Sequence, residues 1–294
     1  MVQGPSASWS SATDAPSART EVTATRAGDR VYVAGGFVPN DDTTTARVEV
    51  YSIAEDSWSR GPNLPLGVNH AMSATAGGRV YVLGGFRGPG LSRPTRRAFV
   101  LAGDRWRPIV RMPSPRAAAA AVGFHGKVFI VGGLTGDGLA AKTLVYDPQS
   151  ERWRTRPGLH EPRHHLGVAR YRDRLYAVAG RMHGGGNLDN FERYNPTNRR
   201  WTTLPAVPTA RSGNGAASTS NGLIVALGGE GPDGTIGEVE AWDVAARVWR
   251  TLPDMPTPRH GLGVVSRGMV IYTLVGGPEP GFAYSSVTEV LSLE

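Results

Sequence analysis

The chain has 294 residues, with 32 Lys and Arg against 25 Asp and Glu for a net charge of +7, and no cysteine. Disulfides are therefore excluded, and no apolar stretch is long enough to cross a bilayer as a helix. There is no charged-then-apolar leader at residues 1–25, so the cytoplasm is favoured over secretion; a secreted protein whose leader has been removed is also compatible. Nearly all the positive charge is arginine, lysine occurring only at Lys127 and Lys142. Arginine's planar fork suits carboxylates and phosphates, so acidic ligands or surfaces are the expected partners.

In chain order the first predicted element is a strand at Ser8-Trp9-Ser10. Tryptophan then recurs at Trp58, Trp106, Trp153, Trp201 and Trp249, spaced 49, 48, 47, 48 and 48 residues apart. A spacing this regular marks one structural unit written six times. Between tryptophans the marks repeat in a fixed order. An apolar run closes on glycine: Val31-Tyr-Val-Ala-Gly-Gly36, Val80-Tyr-Val-Leu-Gly-Gly85, Val128-Phe-Ile-Val-Gly-Gly133, Leu175-Tyr-Ala-Val-Ala-Gly180, Ile224-Val-Ala-Leu-Gly-Gly229, and a last copy ending at Gly276-Gly277. Such short β-branched and aromatic runs describe strands buried on both faces, followed by a position where a side chain does not fit.

About ten residues later comes another strand, as in Val48-Glu-Val-Tyr51 or Val239-Glu-Ala-Trp242. A turn such as Asp147-Pro-Gln-Ser or Asn195-Pro-Thr-Asn leads into the tryptophan strand. A proline-rich linker then leads to an arginine and a small-residue strand, giving four strands per unit.

Diglycine, tyrosine and tryptophan at this unit length resemble the kelch repeat, and the resemblance covers essentially the whole chain. It implies an all-β, six-bladed kelch-type propeller in one domain, residues 1–294. The blades fall at approximately 11–60, 61–108, 109–155, 156–203, 204–251 and 252–294 plus 1–10. The lone strand at Trp9 is expected to complete the last blade and close the ring. A monomer is expected.

Function on a propeller is expected where equivalent loops converge on the axis. One such position, aligned on the tryptophans, reads Arg19-Thr-Glu, Val68-Asn-His, Arg116-Ala-Ala, Arg163-His-His, Arg211-Ser-Gly and Arg259-His-Gly; the other, after the diglycine, reads Phe37, Phe86, Leu134, Arg181, Glu230 and Pro278. An arginine recurring in five units serves either the repeat, by bonding carbonyls between blades, or a ligand. The kelch resemblance implies the second use, with Arg19, Arg116, Arg163, Arg181, Arg211 and Arg259 around an acidic small molecule, peptide or protein. The residues that break the repeat are more telling, because symmetry does not account for them: Glu21, Asn69, His70, His164, Arg181, His183, Glu230 and His260. Two readings follow. The first is a binding module with an Arg/His-lined mouth, Asn69, His70 and His183 contributing. The second is a cofactor-independent isomerase, epimerase or cyclase with His164 and His260 as acid–base groups and Glu21 or Glu230 as carboxylate partner. Kelch-like proteins include an N-acetylneuraminate epimerase with the same six-blade pattern. His165, next to His164 on an alternating strand, is expected to point into the blade packing.

Several chemistries are set aside. Kelch-like copper oxidases of the galactose oxidase type need a tyrosine cross-linked to cysteine, which this chain lacks. His160-Glu-Pro-Arg-His164 matches a zinc-protease signature that works only on a helix, and Pro157 and Pro162 oppose one. The loop Asn40-Asp-Asp-Thr-Thr-Thr45 lacks the ligand pattern of a calcium loop. Gly184–Gly186 precedes no helix and is no phosphate cradle. The basic run from Arg87 to Arg97, with Arg93 and Arg96, has no interleaved aromatics, so nucleic acid is not an expected partner. Neither a metal nor a cofactor is expected.

Overall fold

The apolar runs that precede the glycines are second strands, and each pairs antiparallel with a small-residue strand before it and a Val-Glu-Val-Tyr-type strand after it. In the first blade these are Thr23–Ala27, Arg30–Ala34 and Val48–Ser52, with the tryptophan strand Ser57–Arg60 outermost. The structure, a computed structural model, describes residues 2–3, 6–39 and 43–294. Asn40, Asp41 and Asp42, the acidic part of the loop considered for calcium, lie outside the described residues. Six such sheets form, and no helix occurs among the described residues. The innermost strands touch in sequence around a ring: Thr23–Ala27, Met72–Ala76, Ala120–Phe124, Gly167–Tyr171, Gly215–Ser218, Gly263–Arg267, and back to the first.

Each neighbouring pair of blades shares its own apolar cluster, so the core is six seams and not one centre. The repeat marks are the residues that make these seams. A Cβ at Gly84 would run into the Arg116 carbonyl of the next blade, and Gly85 N–H donates to that same carbonyl at 2.8 Å. The glycines are there because two backbones meet. Tryptophan indoles stitch each blade to the linker before it: Trp58 Nε1 donates to Thr13 O, Trp106 to Pro62 O, Trp153 to Val110 O and Trp249 to Pro205 O, at 2.8 to 3.0 Å. Trp201 is the exception, its indole N–H buried without a partner. Trp242 takes a tyrosine's seat, pairing with Trp249 as Tyr51 pairs with Trp58.

The ring closes as the sequence predicts. Ala7–Ser11 pairs with Ser285–Leu293, Trp9 standing opposite Leu291, and completes the sixth blade. Trp9 Nε1 donates to Pro253 O at 2.9 Å, the same stitch made across the closure. Val2–Gln3 adds a parallel pairing to the edge of the fifth blade at Arg250 and Thr251.

One register differs from expectation. In the sixth blade the seam pair is Val275-Gly276, with Gly276 N–H donating to Arg19 O, so Gly277 and not Pro278 occupies the position opposite His260. Val275 accepts a φ of +52° where most units use glycine, which hides the motif by one residue.

Candidate functional site

The five recurring arginines do not line the mouth. Arg19, Arg116, Arg163, Arg211 and Arg259 are sealed inside their blades, each at most 2% exposed. Arg259 Nη1 donates to Val275 O and Val287 O, while Nη2 meets Glu289 Oε2 at 2.7 Å. Arg19 pairs with Glu49, Arg163 with Glu192 and Arg211 with Glu240, always a glutamate of the third strand of the same blade. A guanidinium buried among carbonyls and, in four of the five blades, a carboxylate presents no donor to a ligand at the mouth. In the third blade Leu144 stands in the glutamate's register, and Arg116 bonds only carbonyls and Ser114; burial pulls its pKa down to about 10. The second blade dispenses with the pair: Val68 and Phe99 take both seats and pack in one apolar cluster.

Two residues beyond each of these seats the chain bends into left-handed backbone: Glu21, His70, Ala118, His165, Gly213 and Gly261 have φ between +48° and +65°. The bend turns each amide toward the neighbouring blade. His70 N–H donates to Glu21 O, Ala118 to His70 O, His165 to Ala118 O, Gly213 to His165 O and Gly261 to Gly213 O, all at 2.8 to 3.0 Å, and Val22 N–H returns to Gly261 O at 3.2 Å. The result is a collar of main-chain hydrogen bonds around the axis. Glu21, His70 and His165 put polar side chains on it, while Ala118, Gly213 and Gly261 leave the rest open. A cavity of about 90 Å³ lies there, lined also by Asn214 and Leu262.

Above the collar the repeat-breaking residues join one polar network. His70 Nε2 lies 3.0 Å from Glu21 Oε2, and Glu21 Oε1 lies 3.5 Å from His260 Nε2. His260 Nε2 approaches Glu230 Oε2 at 4.0 Å; Glu230 Oε1 receives Arg181 Nη1 at 2.8 Å; and Arg181 Nη2 reaches His165 Nε2 at 3.2 Å. His165 also contacts His164 through their Nδ1 atoms. Asn69 Oδ1 meets His70 Nδ1 at 2.8 Å. His183 stays exposed, its ring 6.5 Å from that of His164. Phe37 and Phe86 flank His70 edge-on.

His165 is the residue that strand alternation misassigns. Its φ of +54° breaks the period of two, so it faces the network and not the blade interior. A sign was present in the alignment: the same column holds glycine in two other units, which marks unusual backbone.

Electrostatics divide the histidines from the carboxylates. Burial, with the Arg181 charge behind it, lowers the His164 pKa to about 4, and burial beside His70 and Arg181 lowers His165 well below its ordinary value. Both imidazoles are neutral at pH 7. Burial alone would raise the Glu21 pKa, but His70, in charge and hydrogen bond, together with His260 holds it well below the carboxylate range. These partners favour the Glu21 anion.

The loops joining second to third strands rise around this network. Among the described residues, three of the four exposed large apolar side chains sit on them: Leu91, Met182 and Phe282, 48%, 43% and 55% exposed. Phe282 packs edge-on against Phe37, 5.1 Å between centroids. No helix forms at His160–His164; there His160 Nε2 contacts Trp201 O and Glu192 accepts the His160 N–H.

A family model described as the KLHDC2/KLHL20/DRC7 Kelch-repeats domain matches residues 21–207. The solved structure titled "Structure of YjhT" superposes with a TM-score of 0.81 at 17% identity, covering 95% of this chain and 96% of that one. That likeness concerns the fold. No curated protein sequence matches the chain.

Proposed function

Because the chain belongs to the kelch-repeat family, matched over residues 21–207, we propose that it is a binding module whose ligand enters the axial mouth with an anionic group and an apolar flank. The observation that carries this reading is Arg181. Of the six arginines expected around the mouth it alone keeps an accessible side chain, 27% exposed, and it is held in place by Glu230 at 2.8 Å and His165 at 3.2 Å. A fixed, partly shielded guanidinium is suited to a carboxylate, and its charge-assisted bonds exceed neutral ones in strength. Leu91, Met182 and Phe282 supply apolar surface on the loops around it.

The acid–base alternative draws less support from the same geometry. In its two-histidine scheme a neutral His164 serves only as the base, which leaves the acid role to His260, 1% exposed and beside the Glu21 and Glu230 carboxylates. A neutral imidazole accepts a proton and is a poor donor of one.

The test is calorimetric titration of the full chain with a panel of short acidic peptides and sugar acids, repeated on Arg181→Met. Binding by at least one panel member, weakened about tenfold or more in R181M, is the expected outcome. A bound panel member that R181M holds as tightly as the parent, or a panel with no binder, overturns the reading.

A further inference from the structure

We propose that Glu21, His70 and His165 bind a divalent first-row transition ion at the propeller axis, with its open positions turned to the axial cavity. One donor atom from each of the three residues lies within 4.8 Å of the others. Two imidazoles and one carboxylate are a donor set that suits zinc, cobalt, nickel or iron(II) better than calcium or magnesium, which prefer all-oxygen shells. Around an ion with bonds of about 2.0–2.1 Å, donors stand about 3 Å apart. The Glu21–His70 pair is already at 3.0 Å, so only His165 has to close in.

The three donors come from three different blades, yet the collar of backbone hydrogen bonds fixes them together. Each sits at positive φ, in the column where the fifth and sixth blades carry Gly213 and Gly261. A side chain there holds strained backbone, and such strain concentrates at functional sites. His70 is also aimed: Asn69 Oδ1 meets its Nδ1 at 2.8 Å while Asn69 Nδ2 is held by Thr44 Oγ1 at 2.8 Å, leaving Nε2 directed at Glu21. This is how outer-shell groups orient a ligating imidazole.

A second observation comes from the far side of the cavity. Asn214, 8% exposed, lines the same space as Glu21, His70 and His165, and its Oδ1 has no hydrogen-bond partner. A buried acceptor without a donor is costly, and a water on the bound ion would supply the donor. The cavity of about 90 Å³ has room for it. The competing group is Arg181, whose Nη2 lies 3.2 Å from His165 Nε2. Its other end is anchored on Glu230, so Nη2 can turn away while the salt bridge stays. Removing that positive charge should therefore tighten the ion.

The site shares the Arg181–His165 contact with the mouth but does not need the ligand proposed there, and its test uses the metal alone. The full chain, stripped with chelator, is titrated with Co²⁺ followed by visible absorption and with Zn²⁺ followed by calorimetry. One ion per chain is expected. Glu21→Gln and His165→Gln should each weaken it about a hundredfold, and Asn69→Ala about tenfold. Arg181→Met should bind at least as tightly as the parent, the opposite of its expected effect at the mouth. His183→Ala, an exposed histidine outside the donor set, should bind as the parent does. Thermal melts of each variant establish that it is folded; should either glutamine variant fail to fold, His70→Gln takes its place. No stoichiometric ion, or an ion lost in H183A and retained in E21Q and H165Q, overturns the proposal.

Discussion

Arg211 Nη2 lies 2.8 Å from Glu240 Oε2, and the two side chains are 0% and 3% exposed. The same guanidinium donates to Gly228 O and Glu238 O, bridging the end of the second strand to the start of the third. The arginine that recurs is thus a rivet within the five blades that carry it. Its charge, which made it conspicuous in the sequence, is spent on the fold.

The second blade shows a natural replacement for the rivet, Val68 with Phe99. Copying it into the fifth blade as Arg211→Val with Glu240→Phe should cost little, because well-packed apolar residues often replace a buried ion pair without loss. Arg211→Val alone strands a buried carboxylate and should cost about 3–5 kcal/mol. Chemical denaturation of the single and double variants measures both; a double variant no more stable than the single would count against the equivalence of the two blades.

Closure by Ala7–Ser11 makes a global prediction from a local change. Trp9→Ala removes the indole bond to Pro253 and the packing between the fifth and sixth blades, at a cost of about 3–5 kcal/mol. Deleting residues 1–12 additionally bares the edge of Ser285–Leu293 and should cause aggregation as well as early melting. An unchanged melting curve for the deletion contradicts the closure.

Gly261 sits under the Glu21 carboxylate. A Cβ there would stand 2.7 Å from Glu21 N and 2.8 Å from its Oε1, at a φ of +57°. Gly261→Ala should therefore displace Glu21 and cost about 1 kcal/mol or more in stability. Chemical-shift changes at His70 and His165 report the displacement; spectra unchanged at both would show that Glu21 is not packed as described.

Acid should weaken the fold in a window set by His164. Its folded pKa is about 4 against an ordinary 6.5. Between those values the unfolded chain takes up a proton that the folded chain refuses, so the His164 contribution falls as pH drops from 6.5 toward 4 and levels off below, while His165, lowered well below its ordinary value, adds a loss that starts in the same window and continues into more acid pH. Glu21, held low by its partners, adds a loss only at lower pH, beneath its ordinary value of 4.5. His164→Asn should lessen the slope in melts taken from pH 7 to 4, the remainder belonging to His165. A slope identical to the parent's would mean that His164 is not held neutral.

How much of this was readable beforehand depends on what each residue answers to. The blades, their four strands and the closure follow from spacing, because tryptophan and glycine recur wherever one backbone meets the next. The repeat-breaking residues Glu21, His70, His164, Arg181, Glu230 and His260 were legible as candidates for the opposite reason, and the collar does gather them. The arginines were ambiguous, since a column of charge looks the same whether it faces a ligand or a glutamate of the third strand. Only the third-strand partners Glu49, Glu192, Glu240 and Glu289 decide it, and that pairing spans about thirty residues. His165 was hidden by a left-handed backbone that alternation ignores.

The recurring arginine serves the fold, and the non-recurring Arg181 is the one proposed for the mouth. Thermal unfolding of Arg211→Met beside Arg181→Met tests this division most directly. A fall of roughly 6 °C or more is expected for R211M, from a loss of about 3–5 kcal/mol. For R181M, whose partners are partly solvated, the expected change is no more than about 1 kcal/mol. Equal melting temperatures for the two, or the larger loss in R181M, would contradict it.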